Sequence, residues 1–79
     1  MYTPKPEVLE RIHQNFTYHK PLQNQPERYE RLRAAAGNLA GLFVTNAPDS
    51  RELAVALTKL EEAVFWVNAA IARNEKEKP

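Results

Sequence analysis

Tyr18, His19 and Lys20, followed along the chain by Arg28, Arg31 and Arg33, are the residues here whose types and spacing could do chemistry on a ligand. Aromatic rings stack on nucleobases at ~1–3 kcal/mol per base, and guanidinium forks match phosphate oxygens bidentately. Aromatic and arginine side chains converging on one cleft could therefore hold a small nucleotide. The same residues admit an ordinary account. Glu27, Glu30 and Arg31 would then form a solvated, salt-bridged face, and Tyr18 would pack on the neighbouring helices. Residue types alone leave both accounts open.

Catalysis finds little support. Ser50 is the only serine, and its place after Pro48 and Asp49 suits a helix cap better than a nucleophile. His13 and His19 are six residues apart, which does not put them on one helical face, and no cysteine accompanies them as a metal ligand. Glu61 and Glu62 are adjacent, so on a helix they diverge and cannot share a proton. Gly37 and Gly41 fall inside a helical pattern and make no phosphate-binding loop. No catalytic residue, metal site or cofactor is expected.

The chain has 79 residues, no cysteine, and 11 basic against 10 acidic residues for a net charge of +1. One domain spanning 1–79 is expected, with 1–5 and 76–79 flexible. A chain this small buries only ~60% of its unfolded surface, so without disulfides or metal it is marginal unless it oligomerises. The charge balance argues against a dedicated binder of long nucleic acid, yet a small anionic ligand needs only a few well-placed cations. No apolar run approaches the ~20 residues of a membrane span, and the start Met1–Glu7 has no apolar signal core, which points to the cytoplasm.

The elements that must position these side chains are helical. Leu9, Ile12 and Phe16 predict a short helix from about Pro6 to Asn15. Phe16–Pro21 lacks helical periodicity, and Pro21 pushes Lys20 into an extended conformation, so an extended link follows. A second helix starts near Asn24–Glu27, with Pro26 in its first turn and Asn24 with Glu27 spaced as a reciprocal cap. Its apolar seam is Tyr29, Leu32, Ala36, Leu39 and Phe43. Gly37 and Gly41 inside it cost about 1 kcal/mol each relative to Ala. Either a neighbouring backbone comes close there, or the weakness is simply tolerated.

Asn46–Asp49 breaks the chain, and Asp49 or Ser50 caps a third helix, Asp49 with Glu52 being the better capping pair. Leu53, Leu57, Leu60, Val64, Val67 and Ile71 form its seam, at alternating spacings of four and three. Phe65, Trp66 and Ala69 lie opposite, so the third helix is apolar on several sides. Either those rings pack on the N-terminal segment or other subunits cover them. The expected fold is all-α: a short N-terminal helix, an extended link, then an antiparallel two-helix hairpin assembling into a homo-oligomer. The charged tail from Asn74 is expected to fray.

Phe16–Pro21, Pro26–Arg33, Pro48–Glu52, Leu57–Ala63 and Trp66–Glu75, in this order and spacing, resemble the phage anti-CBASS protein 2 family over about residues 16–75. Residues 1–15 lie outside that resemblance. Asn46–Ala47 and the bulky Leu42–Phe43–Val44 depart from the family pattern, which bears on packing more than on ligand contact.

The resemblance implies a small, all-helical homohexamer. It would act as a non-catalytic sponge that sequesters cyclic oligonucleotide messengers of bacterial antiphage signalling. Cyclic dinucleotides such as cyclic GMP–AMP would bind between subunits, and cyclic trinucleotides at separate sites near the three-fold axes. Tyr18 matches the base-stacking aromatic. Arg33 falls where a basic residue reaches the ligand from a neighbouring subunit, and Arg73 matches a basic position of the trinucleotide site. The implied place of action is the cytoplasm of the infected bacterium. Two other functions fit the residues: a helical protein-interaction module that inhibits a host protein, and a weak binder of single-stranded nucleic acid.

Overall fold

Prolines punctuate every helical start. The computed structural model describes residues 1–76, and its elements are α1 (Pro6–Asn15), α2 (Gln25–Asn46) and α3 (Arg51–Asn74), with no strand among the described residues. Pro6 opens α1 and Pro26 sits in the first turn of α2, where the missing N–H is not needed and φ is already helical. Pro48 lies in the break that turns α2 back into α3.

Of the two cap candidates for α3 the second is used, and the expected cap of α2 is replaced. Ser50, not Asp49, caps α3: its Oγ accepts from the Leu53 backbone N–H at 3.1 Å while donating to the Pro48 carbonyl at 3.0 Å. Ser50 has the extended backbone of an N-cap residue, and Asp49 stands one position too early to reach that donor. Asn24 makes no side-chain cap on α2; its Oδ1 accepts from Arg28 Nε at 3.1 Å. A charged donor one turn along outcompetes the backbone N–H.

α2 and α3 pack as an antiparallel hairpin. Tyr29, Leu32, Ala36, Ala40 and Phe43 from α2 meet Leu53, Leu57, Leu60, Val64 and Ile71 from α3, all half-buried. Val67 leaves the expected seam and is 44% exposed, while Asn68 is half-buried beside it. A strict heptad drifts ~20° per repeat on a straight helix, and two repeats past Leu53 that drift has carried Val67 outward. Leu39 departs likewise, at 41% exposure.

The hairpin is thin. Among the described residues no hydrophobic side chain is fully buried, and the one buried residue is polar Gln25, 2% exposed. The Cα radius of gyration is 17.1 Å, against ~12 Å for a compact domain of this length. The accessible surface of 6934 Å² exceeds by about 2,000 Å² what a compact monomer of this mass exposes.

α1 is a helix as expected, yet Leu9, Ile12 and Phe16 remain 52%, 49% and 86% exposed. Phe65 and Trp66 stay 63% and 60% exposed, so the chain's own N-terminal segment does not cover them. Outside their own stretch of α2, no atom of the described residues lies within 4 Å of where a Cβ would stand at Gly37 or Gly41. No other described helix approaches them closely.

Candidate ligand-binding site

The site is assembled by one glutamine. Gln25, at the start of α2, accepts through Oε1 from the Leu22 backbone N–H at 2.9 Å. It donates through Nε2 to Glu75 Oε1 at 3.0 Å and to the Ile71 carbonyl at 3.5 Å. The Gln25 backbone N–H returns to the Leu22 carbonyl at 2.9 Å, closing a turn around Gln23, whose φ of 44° lies in the left-handed region. Such a φ is unfavourable for a side-chain-bearing residue, and the reciprocal Leu22–Gln25 bonds hold it there. The extended link is thereby fixed against the C-terminal turn of α3.

Arg28 finishes the clamp. Its guanidinium is bidentate to Glu75, with Nη1 to Oε2 at 2.7 Å and Nη2 to Oε1. That hydrogen bond, ahead of the simple attraction between the charges, pushes the Arg28 pKa above its ordinary value. The expected fraying of the tail therefore does not begin at Asn74: Glu75 is held by two partners from α2. The rest of that expectation, at 77–79, lies outside the described residues. Arg28 is committed to structure, and the arginine cluster inferred from sequence divides by helical angle. Arg31 is exposed and lines no cleft described here, and only Arg33 turns toward one.

That cleft lies between the link, α2 and α3 and has a volume of about 460 Å³. His19 and Pro21 come from the link, Tyr29 and Arg33 from α2, and Phe65, Asn68 and Arg73 from α3. Arg33 and Arg73, far apart in sequence, thus line one cleft, and no described carboxylate pairs with either. Arg33 also borders an apolar groove that holds Glu61, without an ion pair between them. His19 is oriented through Nε2, which lies 2.7 Å from the Gln14 carbonyl, while Gln14 Nε2 donates to the Arg73 carbonyl. Through these bonds α1 is tied to the same end of α3.

Tyr18 is one residue before the cleft's wall, 83% exposed, and is not among its lining residues. On the other side of Arg73 a second cleft, of about 290 Å³, separates α1 from α3 and is lined by Arg11, Gln14, Trp66 and Arg73. Arg73 therefore borders two clefts. A third hollow, of about 510 Å³ near the hairpin turn, is walled mainly by Leu39, Leu42, Phe43 and Leu53 and offers apolar contact only, apart from Asn46, Ser50 and Glu52 at its rim. No group of three or more metal-ligating side chains occurs among the described residues, and no described helix is long and apolar enough to cross a membrane.

The arrangement of an N-terminal helix, a link and a hairpin has a counterpart among known families. A family model described as Acb2/Tad1, hairpin domain, matches residues 9–72. The chain belongs to this family. It is that of anti-CBASS protein 2, as the motifs suggested. The match takes in most of α1, which the sequence resemblance had left out, and it ends one position before Arg73. Tyr18 and Arg33 lie inside it. Among curated proteins and among solved structures, none matches the chain significantly.

Sequence reasoning had no role for Tyr29, Phe65 or Asn68 in this site. Tyr29 belonged to the expected seam, and Phe65 to an apolar side to be covered by the N-terminal segment or by other subunits. The sign available for Asn68 was a lone amide in an apolar column, Phe65–Asn68–Ala69–Ala72, spaced to share one helical face.

Proposed function

We propose that this protein is a non-catalytic sponge that binds cyclic oligonucleotide second messengers and withholds them from antiphage effectors of the CBASS type. The observation that carries this reading is the cleft where Arg33 and Arg73 converge without acidic partners, in a chain of the anti-CBASS protein 2 family. Two guanidiniums that line one hollow, neither paired with a described carboxylate, match two phosphates of a cyclic dinucleotide such as cyclic GMP–AMP. His19, Tyr29 and Phe65 offer flat surfaces for bases, and Tyr18 stands free on the link to stack on a base or to reach a neighbouring copy.

The acting form is a homo-oligomer, a hexamer in our reading. Exposed apolar residues on α1 and α3, and surface well above that of a compact monomer, support assembly. Cyclic trinucleotides would use the α1 side of Arg73, near a three-fold axis, where three copies of one arginine face three phosphates by symmetry. The place of action is the cytoplasm of the infected bacterium.

Titration calorimetry with cyclic GMP–AMP, a linear dinucleotide and a short oligonucleotide tests this. Uptake of the cyclic ligands at a fixed ratio per chain supports the sponge. Preference for the longest strand, with a steep salt slope, would mark a nucleic-acid binder instead. One observation favours a second reading as a protein-interaction module or inhibitor. Phe65 and Trp66 form an exposed edge-to-face pair with ring centroids 5.7 Å apart, a fit surface for an apolar partner. Indifference to all three nucleotide ligands would favour it.

A further inference from the structure

We propose that Asn68 reads the base in the cleft, its side-chain amide pairing with the edge of an adenine. The inference rests on the reading of this chain as a binder of cyclic oligonucleotides, and it names the base class that the site prefers.

Asn68 Oδ1 is buried, and no hydrogen-bond donor among the described residues reaches it. Native proteins leave few buried polar atoms without a partner, and each exception calls for one that arrives from outside the fold. Asn68 lies in the wall of the cleft that holds Arg33 and Arg73. On α3 it shares a face with Phe65, Ala69 and Ala72, so this wall is apolar except for one amide and the arginine at its end. A small-molecule site is built in this manner, with apolar walls that accept a flat ring and a few polar groups that fix its orientation.

An asparagine amide offers one acceptor and two donors side by side. Adenine presents a 6-amino donor beside the N7 acceptor, and Asn pairs with that edge through two hydrogen bonds. Guanine presents two acceptors at the corresponding positions and satisfies only half of the amide. No hydrogen bond among the described residues holds Asn68 Oδ1, and the terminal torsion of the amide is broad, so it can turn to meet the base. Arg33 and Arg73 are then left for the phosphates that flank the adenosine.

The test uses two ligands on the full-length protein: cyclic di-AMP, and the same ring with unsubstituted purine in place of adenine, which lacks only the 6-amino groups. The wild-type protein should bind the adenine ring about 5- to 150-fold more tightly. Asn68→Ala should bind both rings equally, at the weaker level. Asn68→Asp has the same shape and keeps an acceptor for the 6-amino group, so it should retain a preference for adenine even if Asn68→Ala does not fold. Equal binding of the two rings by the wild type overturns the assignment, as does an adenine preference that survives in a folded Asn68→Ala. Failure of the wild type to bind either ring, or cyclic GMP–AMP, overturns the sponge reading itself, and that result is distinct from binding without discrimination.

Discussion

Replacing Phe65 and Trp66 together by serine should dismantle the proposed oligomer. In one chain the two rings are 63% and 60% exposed, packed edge to face with an interplanar angle of 89°. Aromatic side chains bury ~150–250 Å² each when fully covered, so the pair leaves on the order of 250 Å² of ring surface uncovered. At ~25 cal/mol per Å², covering that surface with neighbouring subunits contributes about 6 kcal/mol per chain. Association costs ~4–15 kcal/mol before any contact is counted, so a loss of this size decides whether assembly occurs at all. It corresponds to about 10⁴-fold in the association constant. Sedimentation velocity and circular dichroism over a concentration series provide the assay. Because no hydrophobic side chain is fully buried in the single chain, folding and assembly should be coupled. The wild-type thermal midpoint should rise with protein concentration. The double variant should sediment as a monomer, slightly lighter than the 9.1 kDa wild-type chain, with reduced helix at micromolar concentration. A wild-type protein that is itself a monomer with a concentration-independent midpoint refutes the reasoning, as does a double variant that remains assembled.

Arg33→Ala should weaken cyclic dinucleotides and spare trinucleotides. Arg73→Ala should weaken both, because Arg73 borders the clefts on both sides of it; each lost charge-assisted bond contributes ~1.5–3 kcal/mol, and equal effects of both variants on both ligands would argue for a single pocket. Tyr18→Ala should lower dinucleotide affinity by about 5- to 150-fold with the oligomer intact, read by calorimetry beside sedimentation, since Tyr18 is 83% exposed and supports no packing within the chain. Gln25→Ala strips the Leu22 N–H of its side-chain acceptor and Glu75 of one donor. It should cost ~1–3 kcal/mol in urea unfolding and loosen ligand binding as the link shifts. Ser50→Ala, remote from both clefts, should cost ~1 kcal/mol of stability and leave affinity unchanged.

The helices were legible because their signals are local. Prolines at helix starts and apolar spacing of three and four marked α1, α2, α3 and the break between the last two. What escaped was set by competition or distance. Asp49 and Ser50 are both able caps, and only the backbone path decides which oxygen meets the Leu53 N–H. Glu75 looked like the start of a solvated tail because its partners, Gln25 and Arg28, lie some fifty positions away in the sequence. The resemblance assigned Arg33 and Arg73 to different ligands, and their placing in one cleft could not be read from positions forty apart, because it follows from the antiparallel hairpin that brings the start of α2 beside the end of α3. Arg28 and Arg33 looked like one cluster, yet five helical steps turn them to different sides. Family membership could be read from ordered motifs, whereas nothing in the sequence marked Asn68 Oδ1 as buried without a partner among the described residues.

Sequestration without chemistry is decided by a capture-and-release measurement. The assembled protein is incubated with cyclic GMP–AMP and passed through a filter that retains it. The filtrate is assayed for ligand, the retained protein is then denatured, and what it releases is chromatographed. A sponge depletes the filtrate at a fixed ratio of ligand to chain and returns intact cyclic GMP–AMP from the denatured protein. Ligand left in the filtrate, or linear and hydrolysed nucleotides in place of the cyclic one, would contradict it.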